Sequence, residues 1–154
     1  MKKNAPLLLS MLAFVCLNLT TAIAQTSKDF VATWVIDDFK IQLTPELNAI
    51  LTDEQKTEME RGTAEEANKR RGMLIFTFKN DGTAIMENKE KNEKKNGKWH
   101  YEKGIMYLTN DKKETKALPV AIENGKMVIT FKDDKSEENP MGDQMTMKMI
   151  FKKK

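Results

Sequence analysis

Two side chains on which protein-built catalytic and metal sites commonly depend are nearly missing from this sequence: it has one cysteine and one histidine in 154 residues. The cysteine, Cys16, falls in a leading segment that reads as an export signal. The chain that follows therefore has no disulfide, no thiol nucleophile and no thiolate metal site. With His100 alone, neither a Cys–His pair nor a histidine-rich zinc site can be assembled. His100 also falls on the polar face of its strand, between Trp99 and Tyr101, where it reads as a surface side chain. A field of one sign is lacking too. The formal charge of +3 falls to +1 once Lys2 and Lys3 are discounted, and Lys, Asp and Glu are interspersed throughout. Nucleic-acid binding needs a concentrated basic face and is not expected. The densest basic stretch, Lys89-Glu90-Lys91-Asn92-Glu93-Lys94-Lys95, carries two glutamates among four lysines and reads as a solvated hairpin tip.

Long apolar runs are lacking as well, since spanning a bilayer takes roughly 20 apolar residues. The run that exists, Pro6 to Leu19, is interrupted by Ser10 and Asn18. It follows Lys2 and Lys3 and leads to Ala22-Ile23-Ala24. A charged start, a short apolar core and a small-x-small ending are the marks of a cleavable export signal. The expectation is that 1–24 is a signal peptide and 25–154 one mature domain, periplasmic or secreted, with no integral membrane segment. A competing reading makes Cys16 a lipid acceptor, although Val15 stands where such processing prefers a small residue. A domain of this length buries roughly two-thirds of the surface its unfolded chain exposes, enough for a core without staples.

What the chain does have is period-two alternation, which sends alternate side chains to opposite faces of a strand. Phe30, Ala32, Trp34 and Ile36 share one face; Phe39, Ile41 and Leu43 continue on shifted parity. An extra residue at Asp37-Asp38 would keep both sets inward, which predicts a β-bulge in a long first strand. Thr44-Pro45-Glu46 is a helix start. Thr52-Asp53-Glu54-Gln55 and Thr63-Ala64-Glu65-Glu66 each have capping-box spacing, so two helices divided at Gly62 and ended at Gly72 are expected. Strands then follow in quick succession: through Leu74, Phe76 and Phe78; Ala84 and Met86; Trp99 and Tyr101; Met106 and Leu108; Leu118, Val120 and Ile122; Met127, Ile129 and Phe131; and Met145, Met147, Met149 and Phe151. Asn80-Asp81-Gly82, Glu102-Lys103-Gly104, Asn110-Asp111 and Asn124-Gly125 turn the chain, the last being the strongest hairpin signal. About eight antiparallel strands in up-and-down order predict an all-β protein with a helical insertion between strands 1 and 2. Eight strands close into a barrel just wide enough for packed side chains or one small ligand, and closure removes exposed edges.

Trp34 early in the first strand, Phe78-Lys79-Asn80-Asp81-Gly82-Thr83 at the first hairpin, Gly97-Lys98-Trp99 in the fourth strand and the meander order resemble the lipocalin-like domain family common among exported proteins of Gram-negative bacteria. The resemblance covers nearly all of 28–154. It implies a calycin-type barrel in which a late basic side chain, Lys148 or Lys152, stacks on the first-strand tryptophan. Two departures stand out. Ala32-Thr33-Trp34 lacks the glycine of the lipocalin Gly-x-Trp, and the helical pair is more similar to the lid of intracellular fatty-acid-binding proteins.

The expected function is non-catalytic binding of a small apolar or amphipathic molecule, without a cofactor. Its expected pocket lining is Trp34, Phe76, Phe78, Trp99, Tyr101, Met106, Met127, Met145, Met147 and Met149, with Tyr101 or backbone groups orienting a polar end and the helical pair covering one mouth. Methionine suits irregular apolar pockets. Thioether clusters also bind Cu(I), which makes the Met145-x-Met147-x-Met149 stripe an alternative metal site. A third reading is a filled barrel acting as a protein-interaction or envelope-associated module, for which the sequence names no partner. Asp37 and Asp38 could form an acid–base pair only if a bulge turned them to the same face. The acidic stretch holding Asp133, Asp134, Glu137, Glu138 and Asp143 lacks the ligand spacing of a calcium loop and reads as solvated.

Overall fold

The computed structural model describes residues 25–132 and 142–154. Residues 1–24, read above as an export signal and including Cys16, and most of the acidic stretch lie outside the described residues. A one-turn helix α1 (Ser27–Phe30) precedes strand β1 (Ala32–Leu43), and two helices, α2 (Pro45–Ile50) and α3 (Asp53–Arg70), follow it. Seven further strands run in order: β2 (Leu74–Phe78), β3 (Thr83–Asn88), β4 (Glu93–Glu102), β5 (Ile105–Asn110), β6 (Thr115–Glu123), β7 (Lys126–Lys132) and β8 (Met145–Lys153). Each strand pairs antiparallel with the next, and β8 returns to β1, giving a closed eight-stranded up-and-down barrel with the helices inserted between β1 and β2. No helix among the described residues is long and apolar enough to cross a membrane.

The parity shift in β1 is a real bulge. Ile36 pairs with Phe151 and Asp38 with Ile150, so Asp37 is the extra residue; Phe39, Ile41 and Leu43 then pair with Met149, Met147 and Met145. Both apolar sets therefore share the inner face, and Asp37 and Asp38 both face out. Asn124 and Gly125 both have positive φ (51° and 76°), as a tight hairpin turn requires.

Three expectations need correction. Gly62 does not divide the helices. Thr52 does, its hydroxyl accepting from Gln55 N while Gln55 Oε1 accepts from Thr52 N. The second capping-box pattern is not used as one: the Thr63 hydroxyl donates back to the Met59 carbonyl inside a continuous α3. Phe30 lies in α1 and not in the first strand. The Asp29 carboxylate accepts from the Thr26 backbone and hydroxyl, which closes this short turn and sends the fully buried Phe30 ring under the barrel. Finally, the lysine over Trp34 is Lys153, 5.2 Å from the ring centroid, and not Lys148 or Lys152. Lys153 is the cross-strand partner of Trp34, whereas Lys152 faces out to Asp37.

The bulge also fastens the outside of the barrel. Asp37 Oδ2 lies 2.9 Å from Lys126 Nζ on β7 and Oδ1 lies 2.9 Å from Lys152 Nζ on β8. Arg71 Nε donates to the Asp37 carbonyl and Gly72 N to that of Ile36, docking the end of α3 at the same point. Hydrogen bonds from Lys126 and Lys152 draw the Asp37 pKa from 3.8 down to about 2. A carboxylate with a lowered folded pKa lends stability above its unfolded pKa and loses it as pH falls through the folded one. Asp37→Asn should therefore cost about 1 kcal/mol at pH 7, after allowing for solvent screening at the half-exposed lysines. The gap between the two proteins should close from about pH 4 down to pH 2. Urea unfolding of both across that range checks this; a gap unchanged at pH 2 would exclude the ion pairs as its source.

Candidate functional site

The two ends of the barrel differ. At one, the aromatic side chains form a floor. Trp34 donates its indole N–H to the Phe30 carbonyl (2.8 Å) and Trp99 donates its own to the Lys79 carbonyl in the β2–β3 turn (2.9 Å). Both indoles thus bury their bulk without leaving a polar atom unpaired. Phe30 packs on Tyr101 (4.5 Å between centroids), Phe78 on Trp99 (5.0 Å), and Phe76 on Phe78 and Phe151. Met106 and Met127 complete this layer, both fully buried. Gln25 ties the leading segment across it, its side-chain amide exchanging two hydrogen bonds with the Ile122 backbone.

Above the floor the filling stops on one side. A cavity of about 270 Å³ is lined by Phe76, Ala84, Met86, Lys95, Gly97, Leu108, Asn110, Glu114 and Lys116, among others. Its origin is a pair of small residues. Ala84 on β3 sits opposite Gly97 on β4, two inward positions facing each other with almost no side chain. Gly97 must stay small, because a Cβ there would come within 2.4 Å of the Thr109 carbonyl oxygen on β5. The apolar part of the lining is Phe76, Ala84, Met86 and Leu108. The polar part includes Lys95, Lys98, Asn110, Glu114 and Lys116, with Asn96 and Thr109 beside them. Glu114 is held by Asn110, whose Nδ2 donates to its Oε2 at 2.7 Å; Lys95 Nζ lies 3.1 Å from Glu93 Oε2.

The ten residues expected to line a pocket occupy inward register positions of their strands, but the structure does not bring all ten together at this cavity. Phe76 lines it. Trp34, Phe78, Trp99, Tyr101, Met106 and Met127 belong to the packed core or lie against it, as does Met149. Met145 and Met147 lie on β8 beside Leu43 and Ile41, where Met147 is 38% exposed. Near them, Ile41, Leu43, Pro45, Asn48, Lys56 and Met59 line a more open groove of about 460 Å³ between β1 and the two helices. Those helices pack along β1. Beyond Val35, β1 has no pairing with β2, so its upper edge is left for α3 to follow.

Lys95 is the residue that sequence reasoning passed over. Strand pairing continues to Asn88 and Glu93, so the tip is shorter than the charge run. Counting back by twos from Trp99 puts Gly97 and Lys95 on the inner face. His100 stays outside, stacked on Tyr107 at 4.6 Å. The Asp37 carboxylate is committed to two lysines, and Asp38 Oδ1 accepts from Phe39 N. Among the described residues no three His, Cys, Asp or Glu side chains are grouped as a metal site.

The fold and cavity together define a closed antiparallel barrel with a filled floor and a partly apolar chamber above it. No family model matches the sequence, and no curated protein matches it. Among solved structures, a DUF4847 family protein from Bacteroides vulgatus is similar over 78% of this chain and 92% of its own, at 15% identity and a TM-score of 0.42. That likeness is too slight to bear on function.

Proposed function

We propose that this chain is an exported lipocalin-like protein that binds one small amphipathic molecule without catalysing a reaction on it. The observation that carries the reading is the 270 Å³ cavity, apolar at Phe76, Ala84, Met86 and Leu108 and polar at its outer end. Ligand sites are concave and mostly apolar, with a few polar groups that fix orientation, and this one, at about 270 Å³, falls just below their usual ~300–1,000 Å³ range, as suits a small ligand. Binding would bury the ligand's apolar part against those four side chains and leave its polar part at the lysines. The charged start, short apolar core and Ala-x-Ala ending of 1–24 support the export part of the reading.

The experiment is native mass spectrometry of the protein recovered from the periplasm or medium of its host. The expected spectrum shows a chain beginning at Gln25 with a small amphiphile bound in unit ratio and lost on denaturation. A diacylated chain beginning at Cys16 would overturn the soluble-export reading. The filled-barrel reading has its own support in the packed floor of Trp34, Phe78, Met106, Met127 and Phe151. It predicts a bare protein that takes up no amphiphile in vitro.

A further inference from the structure

We infer that the molecule held in this cavity carries an anionic head group, anchored by Lys116 with Lys95 as the second cation; the inference rests on the ligand-binding reading above. The inward positions of β6 run Lys116, Leu118, Val120, Ile122, and those of β4 run Lys95, Gly97, Trp99, Tyr101. On both strands a lysine stands at the outer end of an otherwise apolar or small inward series, and both lysines line the same cavity. A cation above an apolar chamber matches an amphiphile that enters tail first and leaves a negative head at the rim.

The charges around the rim distinguish the two lysines. Lys95 already has Glu93 at 3.1 Å. Glu114 is turned to Asn110, whose Oδ1 in turn accepts from the Lys112 and Glu114 backbone N–H groups, so that amide is engaged within the β5–β6 turn. Lys116 has no carboxylate within ion-pair distance among the described residues. Lys98 also lines the cavity but stands at an outward register position, between the inward Gly97 and Trp99, so Lys116 is the inward rim cation available to a ligand. Tyr101, the polar group expected from sequence to orient the ligand, packs against Phe30 at the floor instead.

Isothermal titration with three ligands sharing a ten-carbon chain tests this: decanoate, 1-decanol and decyltrimethylammonium. Decanoate should bind about tenfold more tightly than decanol, the scale of one charge-assisted hydrogen bond, and the ammonium ligand most weakly. Lys116→Gln should remove most of that preference by weakening decanoate far more than decanol, with the melting temperature as the folding check; Lys95→Gln should have the smaller effect. Equal binding of decanoate and decanol, or a preference that survives both substitutions, overturns the anionic head group and leaves ligand binding standing. Binding of none of the three overturns the ligand-binding reading and this inference with it.

Discussion

Trp34→Ala should cost about 3–5 kcal/mol, the range for truncating a fully buried large aromatic side chain, out of the roughly 5–15 kcal/mol that holds a domain of this kind together. Three losses coincide at this position. The indole is fully buried, so its removal leaves a void that a closed barrel cannot collapse to fill. Its N–H bond to the Phe30 carbonyl goes too, and with it the tie that keeps α1 under the barrel. Lys153 loses the ring face on which it rests. Trp34→Phe separates these contributions: most of the apolar bulk stays, the Phe30 carbonyl loses its donor, and about 1–3 kcal/mol should go. Urea unfolding followed by far-ultraviolet circular dichroism measures both, and hydrogen exchange at Phe30 and Val31 should accelerate in each variant. A loss below about 1 kcal/mol for the alanine variant would mean that the floor is not what holds this end closed.

Local rules account for much of what was readable in the chain. Period two, turn residues and a single parity break were enough to place eight strands and the Asp37 bulge, because in a barrel every strand has one wet and one dry face. Where two local signals competed, the sequence could not choose between them. Thr52 and Thr63 carry the same capping pattern, and only the first is used. Nothing in the sequence tells that Gly62 will be absorbed into a helix lying along the unpaired edge of β1. Phe30 continued the strand's alternation by accident of spacing, while Asp29 closed a helical turn around Thr26.

The site was harder to read for a geometric reason. Parity says which residues face inward and nothing about how high each sits along the barrel axis. The bulky inward residues were therefore natural choices for pocket lining, yet bulk is what fills space: Trp34, Phe78, Trp99, Met106 and Met127 gather in the core. A cavity arises where inward residues are small, and Ala84 opposite Gly97 is that place. In the sequence Gly97 belongs to Gly97-Lys98-Trp99, a motif of the family resemblance, and nothing there marks it as a missing side chain. Lys95 stands in a run of charges, and only its register with Gly97 and Trp99 sets it apart from the other lysines of that run.

The Ala84–Gly97 pair yields the sharpest functional prediction. Ala84→Trp should abolish amphiphile binding, lowering affinity by at least about a hundredfold, while the barrel stays folded. Ala84 lines the cavity directly, and the neighbouring inward position on β4 is a glycine that offers no side chain to collide with. An indole built there extends into the space a ligand would occupy. The same pair explains why the cavity is better filled from β3 than from β4: a side chain at Gly97 would strike the Thr109 carbonyl oxygen and pull β4 from β5, confounding lost binding with lost structure. Overpacking of a core typically costs about 1–3 kcal/mol, and a position that opens on a cavity should fall at the low end, leaving a cooperative melt. Titration of decanoate into the folded variant, with circular dichroism as the folding check, reads the outcome. Under the Cu(I) alternative, the β8 methionines are untouched and metal affinity would persist in the variant. A folded Ala84→Trp protein that binds amphiphile as the parent does would place the ligand elsewhere on the molecule, the groove along Ile41, Leu43 and Met59 being the next site to test.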